Sequence, residues 1–227
     1  GFTRFYGHYN GAIDYFTHER DGEKDWHDDD RPIREDGYAT DLLGAEAARF
    51  IAAAPADQPW LLYLPFNAPH SPFQAKPADL ARYPQLEGER RTYAAMVDAL
   101  DQAIGRVLAA VEARPDAANT LVWFCSDNGG IPRVGSSNAP WRGAKLTVYE
   151  GGTRVCALAN WPGQIPAGSV VDGIMHVVDM FPTLANLAGA STAKCKPLDG
   201  LDMWPTLSAG RPSPRTEVVY NIEILRG

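Results

Sequence analysis

Residues 88–130 constrain the fold more than any other part of the chain. Tyr93, Met96, Val97, Leu100, Ile104, Val107, Leu108 and Val111 recur at i, i+3, i+4 and i+7, the stripe of a helix that lies on a core. Pro115 stands just past its end. Leu121-Val122-Trp123-Phe124-Cys125 follows almost at once and stops at Ser126-Asp127-Asn128-Gly129-Gly130. A short apolar run with a β-branched residue and two aromatics reads as a buried strand. The same order occurs upstream. Residues 39–54 place Leu42, Leu43, Ala47, Phe50 and Ile51 at helical spacing, Pro55 stops that helix, and Trp60-Leu61-Leu62-Tyr63-Leu64 is a second strand ended by Pro65. Residues 154–160 give a third, closed by Trp161-Pro162-Gly163. Helix, strand, helix, strand is the order of an α/β fold with a largely parallel sheet flanked by helices. We expect 60–64, 120–125 and 154–159 in that sheet, with helices 41–54 and 90–113 covering it.

The remaining segments are less regular. Residues 1–18 are rich in Gly and aromatics and read as an irregular packed segment. Residues 19–37 are strongly charged and read as a surface hairpin, with Asp28-Asp29-Asp30 near its turn. That triplet is better read as a solvated turn than as a metal site, because successive side chains diverge along extended chain. Residues 177–189 form a short helix with Pro182 in its first turns and Gly189 at its C-terminal cap. Residues 191–215 are loop-like, and Val218–Ile222 reads as a final strand.

In open α/β sheets ligands bind outside the carboxyl ends of the strands. Asp127 and Asn128 stand there, and both offer oxygen to a hard cation. An Asp-Asn-Gly turn produces the same pattern without a metal. His70 stands past the second strand, held in the loop Phe66-Asn67-Ala68-Pro69-His70-Ser71-Pro72-Phe73 between stiffening prolines. Lys145 lies in a Gly-rich stretch, where an ammonium can serve as a point charge for an anionic oxygen. A loop histidine and a solvated lysine are the plain alternatives. The functional reading expects all four around one cleft.

Composition excludes some classes. The chain has 227 residues and a formal net charge of −7, which disfavours a general nucleic-acid binder. No apolar run is long enough for a membrane span. The opening GFTRFYGHYNG carries no signal-peptide pattern, so either the protein is cytosolic or its true start lies upstream. The three cysteines, Cys125, Cys156 and Cys195, show no CxxC or zinc spacing. Cys125 and Cys156 lie in apolar runs and are expected as buried thiols.

With these pieces placed, the sequence resembles the sulfatase family of the alkaline-phosphatase-like superfamily. GFTRFYGHYNGAIDYFTH is similar to a family segment of the form GF-x-x-FYG…G-x-x-DYFTH. FNAPHSPFQAK resembles the active-site histidine loop, SDNGG the second metal-ligand pair, and WRGAKLTVYEGGTRV the active-site lysine segment. VVDMFPTLANLAG resembles the family's D-x-x-PTL-x-x-LAG helix. The resemblance implies that Asp127 and Asn128 ligate a divalent cation, Ca²⁺ before Mg²⁺. It implies that Lys145 contacts a sulfate oxygen and the ester oxygen, and that His70 hydrogen-bonds the ester oxygen and helps protonate the leaving alcohol. A sulfated small molecule or glycan is the implied partner, and a periplasmic or secreted setting is the implied location.

The family's nucleophile is a cysteine in C-x-P-S-R or C-x-A-S-R, oxidised to formylglycine. Here Cys125 is followed by Ser-Asp-Asn, Cys156 by Ala-Leu-Ala and Cys195 by Lys-Pro-Leu. The resemblance therefore implies that residues 1–227 are the central and later part of one catalytic domain, without its amino-terminal nucleophile region and carboxyl-terminal subdomain. A phosphoester or phosphonate hydrolase of the same superfamily, or an inactive binder of sulfated ligands, are the competing readings. On its own the chain is expected to be inactive.

Overall fold

The computed structural model describes residues 1–220, in two compact units: residues 1–117 with 130–140, and residues 118–129 with 141 onward. In the first unit, five two-residue strands open the chain: β1 (Tyr6–Gly7), β2 (Glu19–Arg20), β3 (Glu23–Lys24), β4 (His27–Asp28) and β5 (Arg31–Pro32). β4 pairs antiparallel with both β1 and β5, and β2 pairs with β3. The Asp29–Asp30 turn is the hairpin expected there, and Asp28 and Asp29 both pair with Arg4. Under these strands lies the core. Ile13, Tyr15, Trp26, Tyr38, Leu43, Met96 and Ala99 are all buried, with Trp26 and Tyr15 fully so. Each large aromatic removes 150–250 Å² from water, so a segment with little regular structure is still well anchored.

Helix α1 (Ala39–Ala53) and α3 (Gly88–Glu112) follow the expected spans, with the short α2 (Pro77–Ala81) between them. α1 and α3 pack on their small residues. A Cβ at Gly44 would meet the Ala103 Cβ at 2.9 Å, so the glycine sets how closely the helices approach. The buried face of α3 is Ala95, Met96, Ala99 and Ala103, while Val97 and Leu108 of the apolar stripe are exposed. α1 stops where its last carbonyls find Arg114. The guanidinium donates to Ile51 O at 2.5 Å and Ala54 O at 2.8 Å, and is held by Asp116, a side-chain cap of the C-terminal end.

The second unit contains β6 (Val122–Cys125), α4 (Glu150–Thr153), β7 (Ala157–Asn160), α5 (Met180–Leu187) and α6 (Trp204–Ala209). Its anchor is Asp179, fully buried before α5. The carboxylate accepts from His176 N and Leu201 N, each at 2.8 Å, and from the Arg215 guanidinium. Thr183 Oγ1 donates to Asp179 O and accepts from Met203 N. One carboxylate thus ties α5 to the two segments that follow it.

The α/β class holds, but three particulars differ from the sequence-based expectation. β6 and β7 pair antiparallel, Val122 opposite Asn160 and Cys125 opposite Ala157. A parallel return needs a crossover, usually a helix, and between these strands the chain has only a 3₁₀ turn and the four-residue α4. Residues 60–64 form no strand and join no ladder among the described residues, and Leu61 and Tyr63 are exposed. Cys125 and Cys156 are exposed free thiols, as is Cys195. Burial of an apolar strand requires sheet neighbours and covering layers, and among the described residues β6 has one neighbour. Within 191–215 the structure adds α6, with Pro205 in its first turn and Gly210 in the left-handed conformation at its end. Of the expected final strand, 218–220 form none and the rest lies outside the described residues.

Candidate active-site segments

Asp127, Asn128 and Lys145 belong to the second unit, and two glycine pairs lock their segments together. Gly129 N donates to Gly152 O at 2.9 Å, and Ser126 N donates to Cys156 O at 3.2 Å. A Cβ on Gly129 would fall 1.8 Å from Gly151 O. Only glycine permits that approach, so the SDNGG turn is seated directly on the YEGG segment. The lysine loop closes on itself as well. Gly151 N donates to Arg142 O at 2.7 Å, and Thr147 Oγ1 donates to Ala144 O at 2.7 Å. Arg142 stacks over the Tyr149 ring at 3.9 Å and Arg154 over Trp141 at 4.2 Å. Lys145 sits at the turn of this loop, followed by Leu146 at φ 73°. Its amine makes no hydrogen bond or ion pair among the described residues.

Asp127 is exposed, and Asn128 is half-buried with Nδ2 donating to Gly129 O at 3.0 Å. That bond fixes the amide and leaves Oδ1 as its acceptor. A carboxylate and an amide oxygen suit a hard divalent cation in type, but Ca²⁺ takes about six to eight oxygens. No group of three or more His, Cys, Asp or Glu suited to a metal occurs among the described residues. The chain's own residues therefore supply part of a coordination shell.

His70 belongs to the first unit. Its loop is held by the aromatic amino-terminal segment. Tyr15 Oη donates to His70 O at 2.9 Å, Tyr15 N donates to Gln74 Oε1 at 2.8 Å, and Tyr38 Oη donates to Gln74 O at 2.9 Å. Gln74 Nε2 in turn donates to Asp14. His70 N donates to Asn67 O at 2.8 Å. The imidazole Nδ1 lies 2.9 Å from Ser71 O. A carbonyl can only accept, so Nδ1 carries the proton and Nε2 is the nitrogen left to give or take another. Tyr15, Gln74 and Asn67 were not singled out from sequence. The DYFTH and FNAPHSPFQAK motifs contain Tyr15, Gln74 and Asn67, but the hydrogen bonds of Tyr15 and Gln74 between the two motifs span 55–60 residues, which no local pattern shows.

The model of the Sulfatase family matches residues 1–190. The chain is 34% identical over 232 residues to mouse (Mus musculus) arylsulfatase J, covering 98% of this chain and 39% of that protein. It is 36% identical to pig (Sus scrofa) N-acetylgalactosamine-6-sulfatase, covering 80% of this chain and 35% of that one. Among solved structures, Ps i-CgsB superposes with a TM-score of 0.86 at 35% identity, covering 93% of this chain and 51% of that chain. The same protein has been solved in complex with k-i-k-neocarrahexaose, with a TM-score of 0.83. The chain belongs to the sulfatase family, within the alkaline-phosphatase-like superfamily. It spans about two fifths of the length of the curated relatives it matches. Family membership fits a metal and a formylglycine cofactor in general terms.

Proposed function

We propose that residues 1–227 are the central and later part of one sulfatase catalytic domain that hydrolyses sulfate esters. Asp127 and Asn128 supply oxygen ligands to a divalent cation, Ca²⁺ by preference. Lys145 places its charge on a sulfate oxygen and the ester oxygen. His70, as an imidazolium with Nδ1–H held by Ser71 O, delivers its Nε2 proton to the leaving alcohol and is left as the neutral ring. The logic is charge. As the S–O bond breaks, negative charge grows on the leaving oxygen, and a lysine and an imidazole proton both stabilise it. A divalent cation held by Asp127 and Asn128 would supply Lewis-acid stabilisation of negative charge at the ester. The substrate class we favour is a sulfated glycan, supported by the neocarrahexaose held by the structural relative Ps i-CgsB.

The observation that carries this reading is the seating of the SDNGG turn on YEGG through Gly129 and Gly151, which sets the metal-ligand pair and the lysine loop in one rigid piece. The test is paired. The 227-residue chain and an upstream-extended version are co-expressed with the formylglycine-generating enzyme and assayed on a chromogenic aryl sulfate with Ca²⁺. We expect turnover only from the extended protein, because none of the three cysteines here lies in C-x-P/A-S-R. Equal rates from both would overturn the assignment of the nucleophile. Cleavage of a phosphodiester, with the aryl sulfate untouched, would transfer the chain to the phosphoester hydrolases.

A further inference from the structure

The His70 side chain is exposed. An exposed side chain changes rotamer within nanoseconds, and either ring nitrogen of a neutral imidazole can carry the proton. What restrains this ring is the contact of Nδ1 with Ser71 O at 2.9 Å; Ser71 Oγ is a poorer partner at 3.4 Å. The peptide that joins His70 to Ser71 decides where Ser71 O lies, since Pro72 leaves Ser71 little backbone freedom of its own. That peptide is gripped at its oxygen, where Tyr15 Oη donates to His70 O at 2.9 Å. His70 N is tied as well, donating to Asn67 O at 2.8 Å. Tyr15 is itself immobile. It is fully buried, its ring stacks on Tyr38 with centres 5.2 Å apart, and Gln74 Oε1 accepts its N–H at 2.8 Å. Burial raises the Tyr15 pKa well above the usual phenol value, so the hydroxyl keeps its proton and donates at any working pH.

We propose that Tyr15 is a positioning residue for His70: its buried hydroxyl fixes the His70–Ser71 peptide, so that Ser71 O holds the ring proton on Nδ1 and Nε2 stays the working nitrogen. The inference deepens the role given above to His70 and rests on it. Tyr15 acts only through His70, from 55 positions upstream. The consequence is chemical. When the imidazolium gives its Nε2 proton to the leaving alcohol, the N–H bond breaks, its electron pair returns to the ring, and the Nδ1–H form remains. That is the form Ser71 O already stabilises, so proton loss and reprotonation occur at one nitrogen. Without the grip on His70 O, the Ser71 carbonyl drifts from Nδ1 and the neutral ring carries its proton on either nitrogen.

The first readout needs no turnover. Long-range proton–nitrogen NMR correlation on the 227-residue chain distinguishes the two neutral tautomers at about pH 9, well above the ordinary imidazole value of about 6.5. His70→Gln identifies the His70 signals among the five histidines. The wild type should show Nδ1–H. Tyr15→Phe removes one oxygen, and the ratio of Nδ1–H to Nε2–H should fall about fivefold, the effect of one lost hydrogen bond. Ser71→Ala keeps the carbonyl and should leave the tautomer unchanged. If Tyr15→Phe fails to fold, Gln74→Met, which frees Tyr15 N but keeps the phenol, should move the ratio in the same direction. Nε2–H in the wild type, an unmoved ratio in whichever of these two variants folds, or a moved one in Ser71→Ala overturns the proposal. The second readout uses the upstream-extended protein on a nitrophenyl sulfate and an alkyl sulfate. General acid catalysis is worth about 10²–10⁴-fold and matters most for the poorer leaving group. Tyr15→Phe should lower kcat about tenfold or more on the alkyl ester and less than about threefold on the nitrophenyl ester, with KM little changed. Equal losses on both esters would mark a merely structural role and overturn the proposal. No turnover of either ester by the wild-type extended protein, with the tautomer shift present, sinks the sulfatase reading alone.

Discussion

Gly129→Ala should break the seat of the candidate metal-ligand turn. The added methyl would sit 1.8 Å from Gly151 O, 2.8 Å from Gly151 C and 3.0 Å from Gly152 Cα. Ordinary contacts between heavy atoms lie near ~3.5 Å, and all three neighbours are backbone, so none can rotate away. The turn must retreat by well over an ångström. That retreat removes the Gly129 N–H···O bond to Gly152, a net loss of about 1 kcal/mol. The strain of overpacking adds about 1–3 kcal/mol, for a total of about 2–4 kcal/mol. Urea unfolding read by tryptophan fluorescence is a suitable assay, since Trp161 and Trp204 pack in the same unit with tilted rings whose centres are 5.2 Å apart. Gly105→Ala is the control. Gly105 lies within α3, and a Cβ there would meet nothing within 4 Å, so the change should stabilise by about 0.5–1 kcal/mol. If Gly129→Ala unfolds at the wild-type urea concentration while Gly105→Ala shifts as expected, the close approach is not what holds SDNGG to YEGG.

Two further outcomes concern buried titratable groups. Asp179→Ala strips Arg215, His176 N and Leu201 N of their shared acceptor, and should cost about 3–5 kcal/mol as a broken buried pair. Burial alone would raise the Asp179 pKa, but Arg215 and the two backbone N–H groups outweigh it and hold it below the usual range. Its contribution is therefore complete above the unfolded-state value of about 3.9 and is lost as pH falls through the lower folded value; a wild-type urea midpoint that does not fall between pH 5 and 3 would contradict this. His18 is buried on Trp26, with ring centres 4.4 Å apart. Burial lowers its pKa, against a weaker opposing bond to Gly37 O. The unfolded chain then binds the extra proton, so stability should be full above about pH 6.5 and fall below it. His18→Asn, which tolerates φ 56°, should flatten that slope between pH 7.5 and 5, and an unchanged slope would assign it to other groups.

How much of this was legible in the sequence depends on the length of the signal. α1 and α3 repeat their apolar spacing over several turns, and the structure gives nearly the spans read from it. The stripe read on α3 holds in the main: Met96 and Val111 are buried and Tyr93, Leu100, Ile104 and Val107 half-buried, with Val97 and Leu108 exposed. What it missed are the buried small residues Ala95, Ala99 and Ala103, where α1 approaches through Gly44 and leaves no room for more. α2 and α6 span five and six residues, too short for any periodic window, and 191–215 was read as loop although Pro205 lies in the first turn of α6 and Gly210 at its end. Trp26 shows the opposite failure. It is fully buried in the most charged stretch of the chain, where composition argues for solvent.

Of the candidate site, Asp127 and Asn128 do stand past a strand, whereas no strand forms at 60–64 ahead of His70, and what supports either segment was not legible. An Asp-Asn pair followed by two glycines can be read as a turn or as a ligand pair. What separates the two readings is the partner of the glycines, and that partner lies more than twenty residues downstream. Sequence places Gly129 and Gly151 in separate motifs, whereas the structure makes them one contact. His70 is similar. The prolines around it announce a stiff loop, but the tautomer of its ring is set by Ser71 O and the position of the loop by Tyr15 and Gln74. A motif therefore records which groups can do the chemistry, and the hydrogen bonds between motifs decide whether those groups are held still enough to do it. In this chain the SDNGG and YEGG segments are joined by backbone contacts, whereas the His70 loop is held by the side chains of Tyr15, Tyr38 and Gln74. Asp127, the Lys145 amine and His70 Nε2 are free of hydrogen-bond or ion-pair partners among the described residues, as the roles proposed for them at a cation and an ester require.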